Sequence, residues 1–128
     1  MITPQQFVEL FLREKAAAWS EARPHLASVY KKYLGEPIAQ DLERFMPRRT
    51  IGTVVEDVAQ SGETANAVVC ESVGGSDLRT RYRLRILGDT WKIIGIDRAC
   101  FLCQGIGRMG KGNSRCEKCQ GEGWVDRG

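Results

Sequence analysis

Residues 100–107 and 116–123 repeat one pattern, Cys100-x-x-Cys103-x-Gly105-x-Gly107 and Cys116-x-x-Cys119-x-Gly121-x-Gly123. No other feature limits so sharply what the chain can fold into, because this stretch holds four of the five cysteines and almost nothing that could form a core. Two CxxC pairs joined by a short loop have the spacing of a closed, tetrahedral zinc site with four thiolate ligands. In each pair a tight turn lets both sulfurs point to one centre, while backbone N–H groups near the second sulfur spread its charge. Glycine after the second ligand permits positive φ at no steric cost, so the chain can turn back beside the metal. The intervening GRMGKGNSR is polar and glycine-rich, and suits the loop of an extended hairpin.

One structural Zn²⁺ held by Cys100, Cys103, Cys116 and Cys119 would take over the role of a core in residues 99–128, since zinc supplies on the order of 10 kcal/mol in small fingers. A pair of disulfides, a redox-active dithiol and an iron–sulfur cluster are weaker alternatives. The duplicated spacing has no distinct nucleophilic and resolving cysteine, and no proline-flanked cluster pattern. A zinc closed off by four sulfurs offers no open position to activate water. An odd cysteine count with grouped pairs also suits a reducing compartment better than secretory disulfides.

The chain has 128 residues, 42% of them hydrophobic, enough for one compact domain with a core but not for two of ordinary size. That domain is expected over residues 1–98. MITPQQFVELFLREK lacks a basic start followed by an apolar run and a cleavage site, and no stretch approaches membrane-spanning length, so a cytoplasmic, soluble protein is expected. The formal charge of +3 falls to about +1 when four thiolates bind one Zn²⁺. Charge alone therefore makes no case for nucleic acid or an anionic membrane as partner.

Thr3-Pro4 followed by Gln6 predicts a helix start, with Thr3 as cap, Pro4 at the first position and Gln6 closing a capping box. Phe7, Leu10, Phe11 and Ala18 recur at helical spacing, with Glu9, Arg13, Glu14 and Lys15 elsewhere around the turn. Pro24 interrupts this helix. Leu26, Val29, Tyr30 and Tyr33 form the stripe of a second one, ended by Gly35, and a third helical piece is expected around Ile38 to Phe45.

From Thr50 the pattern becomes strand-like. Segments 50–58, 65–72, 79–87 and 91–98 are short, rich in β-branched and aromatic residues, and separated by QSGE, GGSD and GD. Connections this short predict an antiparallel meander. With Gly88-Asp89 as a two-residue loop, Ile86 faces Trp91, Leu84 faces Ile93 and Tyr82 faces Gly95. The opposite face carries Arg79, Arg81, Arg83 and Arg85, a solvated row that Glu56 and Glu71 on neighbouring strands can neutralise. Base-stacking aromatics do not interleave with these arginines, which weakens a nucleic-acid reading.

Helices followed by an antiparallel sheet give an α+β fold. Helix-first order and the closing Tyr82-x-Leu84…Gly88-Asp89-x-Trp91-x-Ile93 hairpin resemble the NTF2-like superfamily over about residues 4–98, and within it the NTF2-fold immunity proteins. The resemblance implies a curved sheet wrapped with its helices into a cone around a pocket, able to pair as a homodimer through the sheet, and a cognate toxin as protein partner. The CxxCxGxG copies resemble the cysteine-rich zinc region of the DnaJ chaperones over about residues 100–124. That region has four copies and two zinc sites where this chain has two copies. The J domain and its His-Pro-Asp motif are absent from the sequence, so a partner-binding zinc hairpin is what this resemblance implies.

An enzyme would need an acid–base pair in the cone, as some NTF2-like relatives have. Tyr30, Tyr33, Asp41 and Asp57 are candidates, but none stands in a constellation with a base, and the tyrosines fit core packing. His25, the only histidine, reads as a surface or cap residue, and Cys70 as a small hydrophobe in a strand. The expectation is a zinc-binding protein-interaction module, with Phe101, Leu102, Ile106, Met109 and Trp124 as apolar anchors, unless Leu102 or Trp124 docks the tail on the domain. Small-molecule binding or catalysis in the cone pocket is the alternative.

Overall fold

The computed structural model describes residues 2–21, 23–36, 38, 53–73, 76–99, 108–109, 114–115 and 124–126. Two helices, α1 (Pro4–Glu21) and α2 (Arg23–Tyr33), precede four long strands, β1 (Thr53–Ser61), β2 (Thr64–Val73), β3 (Ser76–Leu87) and β4 (Thr90–Ala99). Three short strands follow, β5 (Arg108–Met109), β6 (Ser114–Arg115) and β7 (Trp124–Asp126). The architecture is α+β, with the helices packed on one face of an antiparallel meander in the order β1-β2-β3-β4. β7 adds to the β4 edge, and β5 pairs with β6 separately. No described helix is long and apolar enough to cross a membrane.

The start of α1 is the expected capping box. Gln6 N–H donates to Thr3 Oγ1 at 3.1 Å, and Thr3 N–H donates to Gln6 Oε1 at 2.9 Å, satisfying two end groups reciprocally. The buried stripe is Phe7, Val8, Phe11, Leu12, Lys15 and Ala18, while Leu10 is exposed. Thus Leu10 and Lys15 have exchanged the sides expected of them. Leu26, Tyr30 and Tyr33 of α2 are buried, and Pro24 sits in that helix's first turn, where its missing N–H costs nothing. Phe11 lies edge-on to Tyr30, Tyr33 and Tyr82 with ring centroids 5.4 to 5.6 Å apart, the arrangement aromatic quadrupoles favour. Of the expected third helical piece only Ile38 is described, and it is buried; the rest lies outside the described residues.

β4 fastens both helices. Trp91 Nε1 donates to Ile2 O at 3.1 Å just before α1, and Lys92 Nζ donates to Lys32 O at 2.6 Å at the end of α2. Gly35 N donates to Ile93 O at 2.8 Å, holding the chain beside β4 as α2 ends. The β3–β4 turn is the expected two-residue loop, with Leu87 opposite Thr90 and Gly88 at φ 70°, a conformation open to glycine. Ile86 pairs with Trp91 and Leu84 with Ile93, as the sequence implies. Beyond them the register shifts: Arg83 faces Gly95 and Tyr82 faces Ile96, not Gly95. Ile94 is the extra residue of a β-bulge, and it reverses the faces of every residue after it. A second bulge makes Glu56 the extra residue of β1.

Candidate functional site

The four cysteines expected to hold zinc, with Phe101, Leu102 and Ile106, lie outside the described residues, and of Met109 only the backbone is described. No group of three or more His, Cys, Asp or Glu side chains able to hold a metal occurs among the described residues. What the structure does give is the frame around the cysteines. At the base Asp97, Arg98 and Ala99 of β4 pair with Asp126, Val125 and Trp124 of β7. Arg108 and Met109 pair with Arg115 and Ser114 in a second short antiparallel ladder. Both ladders belong to one register. Between them each side has the same length of chain, 100–107 on one and 116–123 on the other, and each side is one complete C-x-x-C-x-G-x-G copy.

Beside the β4–β7 ladder a cluster of charged side chains stands on the sheet's outer face. Alternation on β3 puts Arg79, Arg81 and Arg83 there, and the Ile94 bulge delivers Asp97 to the same face, directly opposite Arg81. Asp97 is only 2% exposed. Its Oδ2 accepts from Arg81 Nε at 2.7 Å, has Arg81 Nη2 at 2.7 Å, and lies 3.1 Å from Arg83 Nε. The Arg81 guanidinium in turn covers the indole of half-buried Trp124, 5.1 Å from its centroid, a cation–π contact. Trp124 therefore docks the end of the cysteine segment on the sheet.

Gly95 makes room for this arrangement. A Cβ there would overlap the Arg83 guanidinium. Because the obstacle is the end of a flexible side chain, the strand survives the substitution, but Arg83 must leave Asp97. Gly95→Ala is expected to lower stability by about 1 kcal/mol, read as a lower urea midpoint with an unchanged slope.

Glu56 meets its expected partner, pairing with Arg79 at 2.9 Å through Nε. The hydrogen bond first, and the Glu56 charge second, hold the exposed Arg79 guanidinium above its ordinary value. Glu71 does not join that row. It lies on the inner face with Ala65, Ala67 and Val69, where Tyr82 OH donates to its Oε1 at 2.7 Å and Lys15 Nζ stands 3.6 Å from its Oε2. Lys15, Glu71 and Tyr82 are 5%, 6% and 3% exposed, a polar cluster inside the helix–sheet core that the sequence reading missed.

The other candidates do not converge. Tyr30 and Tyr33 are core residues, Asp57 is exposed on β1, and Asp41 lies outside the described residues. His25 falls in the first turn of α2, its side chain outside the described set. Cys70 is half-buried on the outer face opposite Arg79. Comparison with protein-family models, curated proteins and solved structures finds no match to this chain.

Proposed function

We propose that the chain is a zinc-stapled protein-interaction module: an α+β body of NTF2-like type whose cysteine hairpin, held by one structural Zn²⁺, presents a surface to a partner protein. The observation that carries the metal reading is the shared register. It leaves the two CxxCxGxG copies as stretches of equal length between the same two ladders, running in opposite directions, with Cys100 next in sequence to the β4–β7 ladder and Cys116 next to the β5–β6 ladder. If both arms were fully extended, the pairs would stand about four residues, roughly 13 Å, apart along the hairpin. A single ion thus requires each arm to fold into a turn, which is what a glycine two and four residues after each second cysteine permits. The ion's contribution would be structural, replacing a core that the segment lacks.

The immunity-protein resemblance supports a toxin as the partner. A second reading, a ligand or substrate held in the interior, is favoured by the buried Lys15–Glu71–Tyr82 cluster. Native mass spectrometry of freshly isolated, reduced protein tests both. One Zn²⁺ per chain, and a protein-only complex with the product of a neighbouring coding sequence, are expected. Metal-free protein that also refuses Co²⁺ would end the zinc reading, and a co-purified small molecule would favour the second one.

A further inference from the structure

The meander has two edges, and they are finished differently. β1 bulges at Glu56 in mid-strand and sets two exposed acids there, Glu56 and Asp57, features that discourage a further strand from pairing. β4 bulges at Ile94 and then pairs regularly from Gly95 onward. On its side away from β3 it is bridged to Leu34 at Ile93 and paired with β7 at Asp97, Arg98 and Ala99. Among the described residues nothing pairs with Ile94, Gly95 or Ile96 on that side. β7 thus covers part of an edge that has room for a longer strand.

What β7 meets there is built by β3 and β4 alone. Asp97 is enclosed and fixes the Arg81 guanidinium through Nε and Nη2, both at 2.7 Å, and Arg81 covers the Trp124 indole 5.1 Å from its centroid. A cation oriented before the aromatic ring arrives loses little freedom when the ring does. Arg81, Arg83 and the exposed Arg98 outnumber Asp97 beside this edge, so it favours an acidic strand over a basic one. The chain's own occupant, Trp124-Val125-Asp126, has both the aromatic and the acid, and at three residues it is a marginal fastening. We propose that the edge of β4 at residues 95–99, with Arg81 beside it, is a strand-addition site for the partner protein. It takes an extended segment with an aromatic residue under Arg81 and an acid two residues on, and β7 occupies it in cis until such a segment displaces it. Main-chain pairing supplies the affinity, and the contact of Arg81 with the ring selects the segment. A strand that pairs as far as Gly95 makes a longer ladder than the three pairs of β7. This deepens the partner-protein reading and rests on it, and it is independent of the metal.

The test adds a capped peptide of residues 121–128 in trans to the intact full chain and to its Trp124→Ala variant. NMR shifts and hydrogen exchange of the 95–99 amides, with the shift of Arg81 Nε–H, report the site, and the α1 amides report the fold. The variant is expected to bind the peptide and to gain protection at 95–99, with α1 unchanged. The intact chain is expected to bind it roughly tenfold more weakly, as a site open about one-tenth of the time does. A peptide with alanine for Trp124 is expected to bind neither. Should the α1 signals of the alanine variant not be native, Trp124→Leu takes its place, keeping an apolar cover without the ring. No binding to a folded variant would overturn the site, and so would equal binding to variant and intact chain, or equal binding of the peptide without the indole. Any of these leaves the partner-protein reading standing on another surface. That reading falls separately, if native mass spectrometry finds no protein complex.

Discussion

Lys15→Met is expected to cost about 3 kcal/mol of folding stability, measured by urea denaturation, because it leaves Glu71 charged and buried without its counter-ion. Both side chains are more than nine-tenths buried, so solvent screens the pair little. The 3.6 Å separation is too long for a hydrogen bond, which places the expected loss at the low end for a broken buried pair. Glu71→Gln is expected to cost a similar amount, since it strands the Lys15 ammonium instead. The double variant keeps an acceptor for Tyr82 OH, buries no charge and seats the new thioether side chain in apolar surroundings beside Phe11. It should lie within about 1 kcal/mol of the parent, a coupling that only a direct interaction produces. Strictly additive losses would show that the two charges do not depend on each other.

Asp97→Ala should be the second large loss, about 2 to 4 kcal/mol. The carboxylate is almost fully enclosed and faces two guanidiniums that are themselves about a third exposed, so the pairing is partly screened on the cation side. Removing it leaves Arg81 and Arg83, neighbours on one face of β3, repelling each other with no acid between them. Asp97→Asn keeps an acceptor oxygen but not the charge, and about half the loss is expected from it. Raising the salt concentration should shrink the Asp97→Ala deficit, as the exposed parts of the two arginines are screened. A salt-independent deficit would mean that packing, not charge, makes Asp97 matter.

Much of the fold is readable because its signals are local. The capping box at Thr3 and Gln6, the stripe of Phe7, Phe11 and Ala18, and the Gly88-Asp89 loop each depend on a few adjacent residues. The inner polar cluster escapes such a reading although spacing places it: Lys15 follows Phe11 by four and Leu12 by three, and Glu71 continues the parity of Ala65, Ala67 and Val69. Residue type there argues against position, and the two opposite charges, far apart in sequence, reveal their compatibility only once paired. Asp97 is hidden for a different reason. Plain alternation from Trp91 and Ile93 puts it on the inner face, and only the extra residue Ile94 turns it outward. The adjacent apolar residues Ile93 and Ile94 before Gly95 are the trace such a bulge leaves, since glycine inside a strand often marks one. The equal arms around the cysteines need both ladders, which no local pattern encodes.

Strand order in the meander follows chain order, and this bears on synthesis at the ribosome. Each of β2, β3 and β4 meets its partner as soon as it emerges, a topology of near-neighbour contacts that assembles fast. Trp124 is made after these strands and must travel back to a scaffold already assembled around Asp97 and Arg81, so β7 is a late addition to a prepared berth.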